Sequence, residues 1–98
     1  MIKTYFIYLE GNKLREAIIL LHGLGRTKHS MSKIEKHFNK EYDVYNIGYA
    51  SLKYEIEVLV EKYLVKIVNE LNEKNQKINF VTHSMGGILV RYLFKNYE

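Results

Sequence analysis

The stretch that decides the fold is Phe80-Val81-Thr82-His83-Ser84-Met85-Gly86-Gly87. It places a serine between an apolar strand pattern and the start of a helix, with two glycines shortly after it. A serine in such a turn projects its Oγ above the end of a sheet, provided that the residues around it let the strand and the helix approach. We therefore predict a strained turn at Ser84, with Gly86 satisfying the steric need and Gly87 adding clearance.

The same turn offers a hydrogen-bond donor for a developing negative charge. The backbone N–H of Met85 lies at the predicted helix start, where unpaired amides and the helix dipole favour an anion. A second donor must come from the loop after another strand, and the segment His22-Gly23-Leu24-Gly25 follows the continuous apolar run 17–21. We predict the Leu24 N–H as this second donor, with His22 bracing the loop.

The rest of the chain alternates between strand and helix patterns. Strands are predicted over 2–9, 17–21, 42–47 and 78–82, with a turn at 10–13. Helices are predicted from Ser30 or Ser32 to Glu41, over 55–74 and over 86–96. This order predicts an α/β fold with a mainly parallel sheet of about four strands and three helices on both faces. Loops after parallel strands meet at one edge, so both motifs fall on the functional edge.

Local signals add detail to these helices. Ser32 and Glu35 have the spacing of a capping box, and Ser51 is a candidate cap for the longest helix. Tyr49, at the end of a strand, is predicted either to pack or to line the site. The apolar residues available for the buried face of the last helix are Ile88, Tyr92, Leu93 and Tyr97.

Composition limits the classes of protein that need to be considered. The chain has 98 residues, 47% hydrophobic and 27% charged, which is typical of one soluble globular domain spanning 1–98. There is no cysteine, which excludes disulfides, thiolate metal sites and cysteine nucleophiles. The apolar run near the start is too short for a signal-peptide core or a membrane span, so we expect no transmembrane segment and a cytoplasmic location.

The net charge of +4 raises the question of nucleic-acid binding. The basic residues are dispersed among glutamates, as in the alternation of Lys62 and Lys66 with Glu61 and Glu70, which is typical of solvated helix faces. Since no groove-reading motif is present, we expect no nucleic-acid partner.

Residues 18–25 and 81–87 together resemble the oxyanion and nucleophile segments of α/β-hydrolases, particularly small bacterial lipases and esterases. The resemblance covers the chain from Ala17 onward and implies the N-terminal part of an α/β-hydrolase fold. It implies hydrolysis of an ester or lipid-like small molecule, with Ser84 attacking the carbonyl and the amides of Leu24 and Met85 holding the oxyanion. It implies neither a metal nor an organic cofactor. The residues that support the two motifs are His22, Gly23, Gly25, His83, Gly86 and Gly87.

The sequence departs from the family pattern at two points. Thr82 stands where the pattern G-x-S-x-G has its first glycine, and a β-branched residue there is expected to crowd the turn. The family order is serine, acid, histidine, whereas after Ser84 this sequence has no histidine and only Glu98 as an acid. We therefore expect a truncated α/β-hydrolase domain whose triad is incomplete and whose own esterase activity is negligible.

None of the upstream candidates is expected to replace the missing base. His83 should point away from Ser84 along the strand and have a packing or buried polar role. His29 and His37 are expected to face solvent. Asp43 lies at the start of a strand, away from the functional edge.

Two other interpretations use the same fold. A catalytically inactive remnant or interaction module would keep the elements without the chemistry, and an exposed sheet edge would favour its self-association. An acyltransferase would use the same residues with an alcohol or amine in place of water.

Overall fold

A short hairpin precedes the main sheet. The computed structural model describes residues 8–9, 12–13 and 15–97. Strand β1 (Tyr8–Leu9) pairs antiparallel with β2 (Asn12–Lys13), so the last two residues of the turn predicted at 10–13 belong to a strand. Of the strand predicted over 2–9, residues 2–7 lie outside the described residues, and the last two belong to this hairpin rather than to the parallel sheet.

The main sheet is parallel and contains three strands in the described part of the chain, not four. The central strand, β3 (Ala17–Leu21), has all five side chains buried, as a continuous apolar run covered on both faces requires. Strands β4 (Asp43–Ile47) and β5 (Ile78–Thr82) flank it in the order β4-β3-β5. The last residue of β3 is in register with the last residues of both neighbours, which brings the following loops to one edge.

Helices cover both faces of this sheet, as predicted. A 3-10 turn (Lys28–Met31) leads into α1 (Ser32–Phe38), which packs on the face to which Ile18 and Leu20 point. The opposite face is covered by the remaining helices, which are α2 (Ile56–Tyr63), α3 (Val65–Glu73) and α4 (Met85–Asn96). Within the described residues, no helix combines the length and the apolar character needed to cross a membrane.

The long helix predicted over 55–74 is interrupted at Leu64. This residue has φ −109°, although its N–H still donates to the Val60 carbonyl at 2.9 Å. Leu64 is fully buried, and neither proline nor glycine marks the break in the sequence. The periodic apolar pattern continues across the break, which is why the sequence predicts one helix and the structure has two.

Both predicted caps are wrong. The Ser32 hydroxyl donates to the His29 carbonyl at 2.9 Å instead of capping α1, and the Glu35 carboxylate accepts a hydrogen bond from Asn46 at 3.0 Å. Helix α2 begins after Glu55 without a side-chain cap, so Ser51 does not cap it. The Ser32 hydroxyl and the Glu35 carboxylate form other hydrogen bonds instead, which their spacing in the sequence does not reveal.

Of the residues predicted for the buried face of α4, Leu93 is buried, and Tyr92 and Tyr97 pack partly buried against the same core, whereas Ile88 is not part of that face. The buried residues of α4 are Gly86, Leu89, Val90 and Leu93, whereas Ile88 is 54% exposed. Helical residues three, four and seven positions apart share a face. Since Gly86 lies against β3, the residues at these spacings from it turn inward and Ile88 turns outward.

Candidate active site

Ser84 occupies a strained backbone position between β5 and α4. Its φ is 53° and its ψ −113°, and within the described residues only one other non-glycine residue, Asn75, has a positive φ. A backbone in such a sparsely populated region costs about 1–3 kcal/mol and persists only where the surroundings impose it. The residue is exposed at the edge of the sheet where the strands end. This is the geometry that a strand-to-helix turn presenting a serine hydroxyl requires.

Close packing of α4 against β3 imposes this turn. A Cβ atom on Gly86 would lie 2.8 Å from both the Cβ and the carbonyl oxygen of Leu21, closer than such atoms can approach. A Cβ on Gly87 would lie 3.4 Å from the Thr82 hydroxyl oxygen, close to an ordinary contact. Gly86 is therefore a steric requirement and Gly87 is not. Thr82 crowds the two glycines without closing the turn.

His83 connects the Ser84 turn to the loop after β3. Its backbone N–H donates to the Leu21 carbonyl at 3.0 Å, which extends the pairing of the two strands. A Cβ on Gly23 would lie 2.7 Å from Nδ1 of the His83 ring. The ring therefore packs in the space that Gly23 leaves open. His83 is exposed, so it is not a buried polar group.

His22 is buried at the start of this loop and is held by several contacts. Its Nδ1 lies 2.9 Å from the Gly23 carbonyl oxygen, and its Nε2 accepts the Tyr49 N–H at 3.3 Å. The neutral tautomer with the proton on Nδ1 satisfies both contacts. The imidazole stacks on the Tyr49 ring with 4.1 Å between the centroids. These contacts are those expected of a residue that braces the loop.

The loop after β4 completes this brace. The Tyr49 hydroxyl donates to the His22 carbonyl, and burial raises the pKa of Tyr49 above its usual value of about 10, so the donor stays protonated at neutral pH. The Ser51 hydroxyl accepts the Gly25 N–H at 2.8 Å, where Gly25 has φ +70°. Sequence reasoning missed this role of Ser51. The available signal was a serine in a loop predicted to share the functional edge.

These contacts do not involve the two amides predicted as oxyanion donors. The Gly25 N–H is engaged by Ser51, and the Arg26 N–H donates to the Gly23 carbonyl at 3.1 Å. Within the part of the chain that the structure describes, neither the Leu24 N–H nor the Met85 N–H donates to a protein acceptor. Met85 is the first residue of α4, where helical geometry leaves the N–H without a partner. The two amides predicted as oxyanion donors are thus available.

Comparison with known proteins identifies the class to which these features belong. The sequence matches the family described as "Putative serine esterase (DUF676)" over residues 12–97. The chain belongs to this serine esterase family. No curated protein and no solved structure matches it. The matched residues include both motifs, and membership of the family indicates a serine hydrolase-like function.

A serine esterase needs a base for its nucleophile, and the described residues show none bonded to Ser84. Within them, no histidine or carboxylate forms a hydrogen bond with the Ser84 hydroxyl. His29 and His37 are exposed, as predicted. Asp43, the first residue of β4, lies 3.7 Å from the Arg15 Nε and accepts a hydrogen bond from Gln76 at the opposite edge of the sheet. In the described residues, the strained turn at Ser84 therefore has no base bonded to its serine.

Proposed function

We propose that the protein acts on carboxylic esters, with Ser84 as the nucleophile and the Leu24 and Met85 amides as the oxyanion donors. The observation that carries this proposal is the positive φ of Ser84 at the junction of β5 and α4 in a member of a serine esterase family. The unpaired state of the two amides supports it further.

The chemistry follows from these three groups. The Ser84 Oγ loses its proton to a base and forms a bond to the ester carbonyl carbon, and the carbonyl oxygen becomes an oxyanion. When this intermediate collapses, the base returns the proton to the leaving oxygen, the alcohol departs, and the remaining acyl-serine ester is hydrolysed by water. The amides of Leu24 and Met85 donate to the oxyanion. In other serine hydrolases the loss of one such donor lowers kcat by about 10²–10³-fold.

We expect this chain to turn over esters at a negligible rate. A serine hydroxyl without a bonded base is a weak nucleophile. An oxyanion hole and substrate binding alone retain only about 10³–10⁴-fold acceleration over water. Covalent capture with an activated phosphonate is therefore a better test than turnover, because it needs one attack and produces a stable adduct.

The test incubates the protein with a p-nitrophenyl alkylphosphonate and measures the intact mass, followed by peptide mapping. We expect one phosphonyl group on Ser84 and none in Ser84→Ala. Ser30→Ala is the matched control, since Ser30 is exposed in the 3-10 turn, and it should be labelled like the unaltered protein. Labelling that survives in Ser84→Ala would assign the reaction to another residue. If Ser84 reacts no faster than in the urea-unfolded chain, the inactive interaction module becomes the better description.

A further inference from the structure

An open cleft of about 440 Å³ lies beside the loop after β3. It is formed by this loop and the loop after β4, both at the functional edge of the sheet. Gly25, which directly follows the proposed oxyanion donor Leu24, contributes to its wall. The residues that line it are Gly25, Arg26, Tyr49, Ala50, Ser51, Leu52 and Lys53.

The cleft has a positive character. Arg26 and Lys53 line it, and none of its lining residues is acidic. Both cations are exposed, and neither forms a salt bridge with any residue that the structure describes. The Lys53 ammonium lies 5.4 Å from the centroid of the Tyr54 ring, a contact that leaves its charge uncompensated. A guanidinium and an ammonium that line the same cleft favour a ligand with two or more anionic oxygens.

Two leucines add exposed apolar surface to this region. Leu52 lines the cleft and is 78% exposed, and Leu24, which directly precedes Gly25 in the chain, is 55% exposed, so both offer apolar surface. Exposed apolar surface beside a functional edge is more informative than scattered apolar residues, because it offers contact area to an alkyl group. The combination suits an amphiphile that carries both an anionic group and a hydrocarbon chain.

We propose that this cleft binds the anionic group, phosphate or carboxylate, of an amphiphilic ester whose carbonyl lies at Ser84. The placement of the carbonyl rests on the proposed function. The Arg26 Cα is two residues from the Leu24 Cα and therefore at most about 7.6 Å from it. An anionic group a few bonds from the ester carbonyl can thus reach Arg26 while the carbonyl oxygen contacts the Leu24 amide.

A second cleft gives an internal comparison. It measures about 570 Å³ and also contains two cations, Arg91 and Lys95, beside exposed Ile88 and Phe94. These cations lie on α4 at seven and eleven residues beyond Ser84, which corresponds to about 10 and about 16 Å along the helix axis. The second cleft is therefore poorly placed for a group attached near the reacting ester.

The experiment titrates the ¹⁵N-labelled chain with octyl phosphate below its micelle concentration and follows amide shifts by NMR. We expect shifts at Gly25, Leu52 and Lys53 and a Kd about tenfold lower than for octyl glucoside or inorganic phosphate, because one charged hydrogen bond is worth about tenfold in affinity. A parallel titration uses nonanoate in place of octyl phosphate. Tighter binding of octyl phosphate would indicate an ester that carries a phosphate, and tighter binding of nonanoate would indicate one that carries a carboxylate.

Paired variants locate the binding. Arg26→Gln/Lys53→Gln should raise the Kd for octyl phosphate about tenfold or more. Arg91→Gln/Lys95→Gln removes the same charge from the second cleft and should leave the Kd within about twofold, since the effect of net charge alone is screened at moderate salt. The amide spectra of both variants show directly whether each is folded.

Three results would overturn the proposal. Equal binding of octyl glucoside would show that only apolar contact matters, and equal binding of inorganic phosphate would show a site for the free anion. Weakening by the second pair of substitutions alone would move the ligand to the other cleft. Ser84→Ala should bind octyl phosphate like the unaltered protein. Failure of the unaltered protein to capture the phosphonate, with octyl phosphate binding intact, would count against the proposed function and not against the cleft.

Discussion

The two halves of the candidate site are held by different kinds of contact. At the Ser84 turn, Gly86 lies directly against the backbone of Leu21, with no room for one added carbon. The loop after β3 is instead held by polar contacts, from Tyr49 to His22 and from Ser51 to Gly25. The backbone of Leu21 cannot easily move away from Gly86, so this steric contact is rigid. In the loop after β3, by contrast, each neutral hydrogen bond contributes only about 1 kcal/mol net. Steric packing therefore fixes the position of the serine, whereas several weak hydrogen bonds together fix the proposed oxyanion loop.

Gly86→Ala should produce the largest effect, because its Cβ would meet the Leu21 carbonyl oxygen at 2.8 Å. We expect the free energy of unfolding to fall by about 3 kcal/mol, in the range of overpacked cores. Urea unfolding followed by circular dichroism measures it. Gly87→Ala is the matched control, and with an ordinary contact and a better helix former it should be neutral or stabilise by up to about 1 kcal/mol. An equal loss in both variants would remove the distinction between the two glycines.

His22→Phe tests the largest polar component of the other half. The ring can still stack on Tyr49, but the Tyr49 N–H loses its acceptor, and the Gly23 carbonyl loses one of its two donors and keeps the Arg26 N–H. We expect a loss of about 2 kcal/mol in the free energy of unfolding, the cost of leaving a buried polar group unpaired. His37→Phe, at an exposed site on α1, should change stability by less than about 0.5 kcal/mol. If the two variants are equally stable, stacking rather than hydrogen bonding holds the loop.

Ser51→Ala should have the smallest effect on stability and a local effect on the loop. Its loss leaves the Gly25 N–H without an acceptor, which we expect to cost about 1 kcal/mol. Hydrogen exchange of the Gly25 amide should become about tenfold faster, while Ser30→Ala leaves it unchanged. Unaltered exchange at Gly25 in Ser51→Ala would mean that the polar brace does not need this bond. Phosphonate capture by Ser84 should slow in the same variant if the Leu24 amide moves with the loop.

The parts of the site that the sequence predicts are those that depend on neighbours along the chain. The turn after 78–82, the loop after 17–21 and their shared edge follow from apolar runs ended by glycine-containing segments. In the predicted buried face of α4, Ile88 was wrong, because the apolar residues of that helix fit more than one stripe. Close approach of Gly86 to β3 selects the stripe with Leu89 and Val90.

The sequence by itself determined the order of strands and helices, the parallel sheet and the serine placed at its edge, because these need only local periodicity and the conformational limits of a few residues. Only the tertiary structure decided that Ser51 holds Gly25, that Tyr49 braces His22 and that Gly23 makes room for His83. These pairs are 26, 27 and 60 residues apart in the chain. Contacts across such separations depend on how the strands are brought into register, and no short pattern encodes them.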